Sequence, residues 1–372
     1  MSTIKHTKYF IAIIFISILS MNEANAQPII PIRLAVAGTS HGHVPWILGR
    51  KQAADIEVVG IYEKDEKLSA KYGQEFSLNS SLFFTDLHKM LDAVKPEAVV
   101  AFGSTYEHLA VVEACAPRGI HVMVEKPLAT TTEHALKMMN LAKKYNIHLL
   151  TNYETSWYPS TEKTYQLITD SNYIGNIKKA VFLHGHPGPE KIGVNKEFLQ
   201  WLTDPVQNGG GALMDFGCYG ANIMTYLMKG ELPVSVTAVI QNFQPSVYPN
   251  VDDEATIIVN YLSAQCIIQA SWNWPFNRKD MEIYGVEGYI KTLDDTNIKI
   301  RNNNKSEQHL IITQEQVPVY RDPFSYFADV IRGKIKILPF SLYTLENNII
   351  VVRILEAAKI SAKTGKTVFI SK

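Results

Sequence analysis

An α/β fold in two parts is predicted: a parallel sheet covered by helices on both faces, then an α+β domain with an open, mostly antiparallel sheet. Three observations carry this expectation. Between Ile32 and Leu150 short apolar runs alternate with helical stretches; beyond Asn152 strands follow one another across short turns; and 372 residues exceed what one hydrophobic core usually holds.

Taken in order, the apolar runs fall at 32–38, 56–62, 98–102, 121–124 and 147–150, each too short for a helix and nearly continuous, as strands buried on both faces must be. Thr130 with Glu133 three residues later reads as a capping box, and Ala135, Leu136 and Met139 as the apolar face of the helix it opens. This is a Rossmann-like unit. After Asn152 come a helix over 160–169 and a glycine-rich turn leading into a helix that ends at Leu227. Strands follow near 236–243, 255–261, 265–272, 281–284 and 289–293, then a helix over 345–364. The reading divides the chain into a leader at 1–26, a first domain at 27–151 and a second at 152–372, with a ligand in the cleft between the domains.

The leader is read as a signal peptide. Lys5 and Lys8 precede an apolar run over 9–21, and Ala24-Asn25-Ala26 is the small-x-small pattern of a cleavage site, so the mature chain begins at Gln27 and the protein is exported, periplasmic or secreted. The run is short for a membrane span, and no stable insertion is expected after cleavage. Lys plus Arg equals Asp plus Glu, 36 against 36, so no broad field favours nucleic acid or an anionic membrane, and a neutral small molecule is the natural partner. Cys115, Cys218 and Cys266 are too few and scattered for a disulfide framework.

After the first strand stands Gly38-Thr39-Ser40-His41-Gly42-His43. A dinucleotide fingerprint places glycine at the first, third and sixth positions, and only Gly38 fits. Ser40 and His43 stand at the other two, as possible donors to a phosphate, with the amino terminus of the next helix behind them. Glu63 ends the second strand, where a carboxylate accepts from ribose hydroxyls and repels a 2′-phosphate, favouring NAD over NADP; Lys64 beside it weighs the other way.

Lys126, in Glu125-Lys126-Pro127, closes a buried strand on the side of the sheet where ligands bind. Gly209-Gly210-Gly211 lets the backbone approach a ligand, and the helix beyond sets Asp215 and Tyr219 four apart on one face. The combination is an acid/base constellation: Tyr219 as proton acceptor, Lys126 beside it lowering the phenol's pKa, and Asp215 contacting substrate or lysine. His41 with His43, and His184 with His186, also pair as potential metal ligands, but with no third ligand evident no metal is assigned. His184 and His186 are read as contacts to the bound small molecule, and Trp157, Trp272 and Trp274 as an apolar wall on which it stacks.

These motifs carry a resemblance. The segments Phe102-Gly103-Ser104-Thr-Tyr-Glu-His108, Gly119 through Glu125-Lys126-Pro127, Ser156-Trp157-Tyr-Pro159, Gly209 through Asn222 and the terminal Ala357 to Lys366 resemble the Gfo/Idh/MocA oxidoreductases, the family of glucose-fructose oxidoreductase and inositol dehydrogenase, from Ile32 to the carboxyl end. The resemblance implies an NAD(P)-binding Rossmann domain, a substrate-binding second domain and a homo-oligomer. It also implies that Lys126 bridges nicotinamide ribose and substrate. Many members have histidine where this chain has Tyr219, which resembles the tyrosine branch of glucose-fructose oxidoreductase and dihydrodiol dehydrogenase. Cofactor contacts are accordingly expected from Gly38, Thr39, Ser40, His41, His43, Glu63, Phe102, Gly103, Ser104, His108, Glu125 and Lys126. Substrate contacts are expected from Asn152, Trp157, His184, His186, Asp215 and Trp272. The implied activity is oxidation of a secondary hydroxyl of a sugar or glycoside to a keto-sugar, at C3 in some members. A redox-assisted glycosidase or lyase with tightly held NAD, and a catalytically silent sugar-binding protein, are the alternatives.

Overall fold

The structure, a computed structural model, describes residues 30–50, 54–303, 305–320 and 322–370; the expected leader at 1–26 lies outside them. The five apolar runs of the first part become strands of one parallel sheet: β1 (Ile32–Ala37), β2 (Ile56–Tyr62), β4 (Ala98–Ala101), β5 (His121–Glu125) and β6 (Leu149–Asn152), with a two-residue β3 (Phe83–Phe84) at the edge. Their order is β3-β2-β1-β4-β5-β6, so the chain reverses direction across the sheet between β1 and β4, and a crevice opens at the carboxyl ends there. Alternate residues feed two separate cores. Ala35, Ala37, Val99, Val122 and Val124 face one layer, while Leu34, Val36, Val100 and Met123 face the other. Burial on both faces is the physical reason these strands read as continuous apolar runs rather than alternating ones.

The helix after β5 begins one residue later than the capping pattern placed it. Thr131, in extended conformation, accepts from the His134 amide and caps Thr132–Tyr145, while Glu133 pairs forward with Lys137. The buried stripe shifts with it, to Ala135, Met138 and Ala142, and Leu136 faces outward. Thr130 is buried instead, its carbonyl accepting from the Lys359 ammonium.

The second sheet comprises β7 (Ile177–Gly185), β8 (Ser235–Gln241), β9 (Glu254–Asn260), β10 (Gln265–Ser271), β11 (Arg278–Gly285), β12 (Gly288–Thr292), β13 (Asn297–Asn302), β14 (Gln308–Ile311) and β15 (Val368–Phe369). The order β14-β13-β12-β11-β7-β10-β9-β8-β15 is antiparallel throughout except for the parallel β7–β10 pair. One face is covered by the fully buried helix Ala212–Leu227, which meets Ile257, Ile268 and Ala270 through Gly217 and Gly220. The other face carries the half-buried residues of an alternating pattern, seen in β9 as Thr256 and Ile258 between Ala255, Ile257 and Val259. It is the open face.

Two late helices tie the parts together. Pro323–Ile331 returns to the first sheet, where Phe324 and Phe327 join the core that holds Leu34 and Val36. Leu345–Thr364 contributes Val352 to the first sheet's other core and Val351, Ile354 and Leu355 to the second domain's. Among the described residues no helix is long and apolar enough to cross a membrane.

Candidate active site

Lys126 follows directly on β5, one strand from the point where the sheet order reverses. Across from it, Gly211 runs so close to Asp252 that a Cβ would lie 1.8 Å from the Asp252 carbonyl oxygen, which explains the glycine. The Asp252 carboxylate accepts from the Gly211 and Leu213 amides, 2.9 and 2.7 Å, and so fixes the start of Ala212–Leu227. Asp215 and Tyr219 then project one turn apart from a helix clamped at its amino end.

These residues meet at one cleft. The Lys126 ammonium is ion-paired to the Asp215 carboxylate and donates to the Asp215 carbonyl at 3.1 Å. It lies 5.2 Å from the centre of the Tyr219 ring. Trp272 donates its indole N–H to the other Asp215 oxygen at 2.9 Å, so the carboxylate is gripped from both sides. Burial works against both charges, but each outweighs it for the other: Lys126 is held above the usual lysine range and Asp215 below the carboxylate range. The cleft itself, about 470 Å³, is lined by His41, Gly42, His43 and Lys126 from the first part and by residues including Glu154, His186, Phe216, Tyr219 and Lys279 from the second.

The phenol does not behave as the sequence suggested. Its pKa is raised well above the ordinary value, first by burial and then by Glu154, Asp215 and other neighbours. Lys126 does not win because its charge is already matched by Asp215. A second lysine, unforeseen, stands 5.3 Å from the same ring: Lys279, ion-paired to Glu154, whose other oxygen accepts from Tyr158 at 2.5 Å. Neither Glu154 nor Lys279 belongs to a recognisable pattern; one follows β6 in a short 3₁₀ turn and the other is the second residue of β11.

Of the residues expected to touch substrate, Asp215 and His186 line the cleft. The others do not, and each has a reason. Asn152 donates to Glu125 and accepts from the Trp157 indole, so both are engaged with each other, with Trp157 stacked 5.8 Å from Tyr343. Trp272 is fully buried behind Asp215, and β10 ends at Ser271, so Trp272 and Trp274 form no shared stacking wall. His184 is fully buried against Phe182 and Tyr219, with neither ring nitrogen hydrogen-bonded among the described residues.

On the cofactor side, Gly38 adopts φ +80°, and a Cβ there would sit 2.7 Å from the Gly103 amide nitrogen. The β1 and β4 turns therefore pinch together at the switch point, as a dinucleotide crevice requires. The rest of the loop departs from the expected cradle. The amides of Thr39, His41 and His43 bond to Glu63, Phe102 and the His41 ring, leaving those of Ser40 and Gly42 without such a bond among the described residues. The helix beyond is one turn, Pro45–Leu48, whose proline has no N–H and whose Trp46 and Ile47 amides already donate to the His43 and Val44 carbonyls. Glu63 accepts from the Thr39 amide and hydroxyl and from the Asp65 amide, which leaves it about one of four acceptor positions. Lys64 is paired with Glu107.

Phe102 is a core residue against Phe324, and the Ser104 hydroxyl is engaged with Gln207 of the second part. His108 is buried with its Nδ1 3.1 Å from the Leu128 carbonyl. Three of the expected cofactor contacts are therefore structural in this arrangement. Of this loop, His41, Gly42 and His43 line the same cleft as Lys126.

His41, His43 and Glu125 bring three ligand atoms within 4.8 Å of one another, the third partner the sequence did not reveal. Hydrogen bonds already account for the cluster. The His43 amide donates to His41 Nδ1, and His43 Nδ1 meets Glu125 at 3.1 Å, while Glu125 also accepts from Asn152. The His41 lone pair is taken, so its proton sits on Nε2, the nitrogen a metal would need bare.

His108 and His184 are held neutral by burial, with pKa values lowered to about 4 and about 3. Unfolded, both would titrate near ~6.5. Their folded values are depressed, so their contribution to stability is complete above that pH and declines as pH falls below it. Each contributes a slope of up to about 1.4 kcal/mol per pH unit until its folded value is reached. The urea midpoint is expected to be flat from neutral to mildly alkaline pH and to drop steadily in acid; His108→Gln should flatten that drop, and an unchanged slope would contradict the assignment.

With this geometry in place, residues 32–153 match the NAD-binding Rossmann domain of the Gfo/Idh/MocA oxidoreductase family and residues 163–291 match that family's C-terminal domain. The chain belongs to the Gfo/Idh/MocA family. Among Gfo/Idh/MocA relatives, it is 26% identical to the trans-1,2-dihydrobenzene-1,2-diol dehydrogenase of Xenopus tropicalis, over 65% of this chain and 69% of that one. It is 29% identical to the D-glucoside 3-dehydrogenase of Escherichia coli, over 56% and 57%. The fold matches that of an aldose-aldose oxidoreductase from Caulobacter crescentus with a TM-score of 0.75, at 20% identity, covering 91% of this chain and all of the other.

Proposed function

We propose that the protein is exported and oxidises a secondary hydroxyl of a sugar or glycoside to a keto-sugar, with NAD as hydride acceptor. The observation that carries the reading is the convergence of Lys126 and Tyr219, from separate parts of the chain, on one cleft that His41, Gly42 and His43 of the loop after β1 also line. Bound NAD supplies the hydride acceptor and a positive charge. The chain's own residues do the rest: Tyr219, ionised to the phenolate before the reaction, takes the hydroxyl proton, Lys126 orients the oxygen, and Asp215, gripped by Trp272, holds Lys126 in place.

The name of the Escherichia coli relative supports the 3-hydroxyl as the reacting group, and the Glu63 carboxylate, by repelling a 2′-phosphate, supports NAD over NADP. Export rests on the charged, apolar and small-residue pattern of 1–26. Mass spectrometry of the natively purified protein with a glycoside panel tests the reading. Loss of two hydrogens from the sugar with reduction of added NAD is the expected result; aglycone release without net reduction would transfer the assignment to redox-assisted cleavage.

A further inference from the structure

His186 and His41 face the same cleft from opposite parts of the chain, and the backbone treats their rings alike. The Gly188 amide donates to His186 Nδ1 at 2.9 Å, and the His43 amide donates to His41 Nδ1 at 3.0 Å. A backbone N–H has only a proton to offer, so each Nδ1 must present its lone pair. In an imidazole with Nδ1 bare, the remaining proton is on Nε2. Both residues line the cleft, so each offers it an N–H and no acceptor.

We propose that His186 is a specificity-determining donor that gives its Nε2–H to a substrate oxygen, and that it is not a proton acceptor in the reaction. The inference rests on the dehydrogenase reading for the identity of the substrate, but the tautomer itself does not. The surroundings agree. His186 is packed edge-on to Phe216 at 4.9 Å between ring centres, and the charged groups acting on it are Asp215, Lys126 and Lys279. Burial is the largest influence and lowers its pKa, and two of those three charges act in the same direction. A neutral ring and the lysines that line the same cleft form a donor seat for the oxygens of a polyhydroxylated ligand. Such a seat discriminates strongly against an analogue with hydrogen in place of that hydroxyl, because its donors are then left unpaired. His41 offers a second such donor to the same cleft.

The experiment has one readout that needs no substrate and one that does. Ring ¹⁵N shifts of the ligand-free protein, assigned through His186→Gln, are expected to show the Nε2–H tautomer unchanged between about pH 6 and pH 8. A proton on Nδ1, or an imidazolium in that range, would overturn the proposal. In kinetics, His186→Gln keeps an N–H donor and should retain kcat/KM within about threefold, whereas His186→Leu should lose about 10- to 100-fold, chiefly through KM. Equal losses in both variants, or loss of an acidic limb of the pH profile in the glutamine variant, would show a base and sink the idea. A wild-type protein that oxidises no glycoside would count against the dehydrogenase reading while leaving the nitrogen shifts to decide this one.

Discussion

Tyr219→Phe is expected to lower turnover by about 10²- to 10⁴-fold, the range over which a positioned acid/base group acts, with the fold intact. The substitution removes only the hydroxyl. The ring keeps its edge contact with Tyr153 at 5.5 Å, its contact with His184 at 5.8 Å and both lysines over its face, so thermal stability should scarcely move. Because burial and carboxylates hold the phenol protonated in the free protein, oxidation by the wild type should accelerate as pH rises and the phenolate becomes accessible. Steady-state rates of sugar oxidation across pH, with cofactor binding measured separately, check both statements. A phenylalanine variant with full turnover would remove Tyr219 from the chemistry.

Lys126→Ala should abolish most activity and, unlike the tyrosine variant, also destabilise the protein. Removing one partner of a buried ion pair leaves the Asp215 carboxylate without its cation, at a cost of about 3–5 kcal/mol. The double variant Lys126→Ala/Asp215→Asn removes both charges, keeps an acceptor for the Trp272 indole, and should recover much of that stability while remaining inactive. Chemical denaturation read alongside turnover separates the two effects. Recovery of activity in the double variant would mean that the lysine serves only to neutralise the aspartate, and stability lost equally in both would mean that the pair is not what the lysine supports.

The first sheet and the central residues were legible from sequence for one reason: local pattern and final position coincide. A strand buried on both faces is apolar at every residue, and Lys126, Asp215 and Tyr219 lie on elements whose direction their neighbours already fix. The indoles were misread because each donates its N–H to a buried side chain that no local pattern singles out, Asp215 being 57 residues from Trp272 and Asn152 five from Trp157 across the turn after β6. Trp272 hydrogen-bonds to Asp215 and Trp157 to Asn152, and an indole with a buried polar partner is an orienting strut rather than a sugar platform. Glu154 and Lys279 were invisible for the converse reason, being ordinary surface-type residues until the antiparallel pairing of β11 with β7 sets Lys279 opposite His184. The phosphate loop went wrong at the helix behind it, where Pro45 and Gly49 bound a single turn.

The helix Leu345–Thr364 anchors residues in the hydrophobic interiors of both halves, with Val352 on one side and Val351, Ile354 and Leu355 on the other. A shared girder of this kind denies either half an independent existence. Heating should dismantle the whole molecule in one concerted event rather than lobe by lobe.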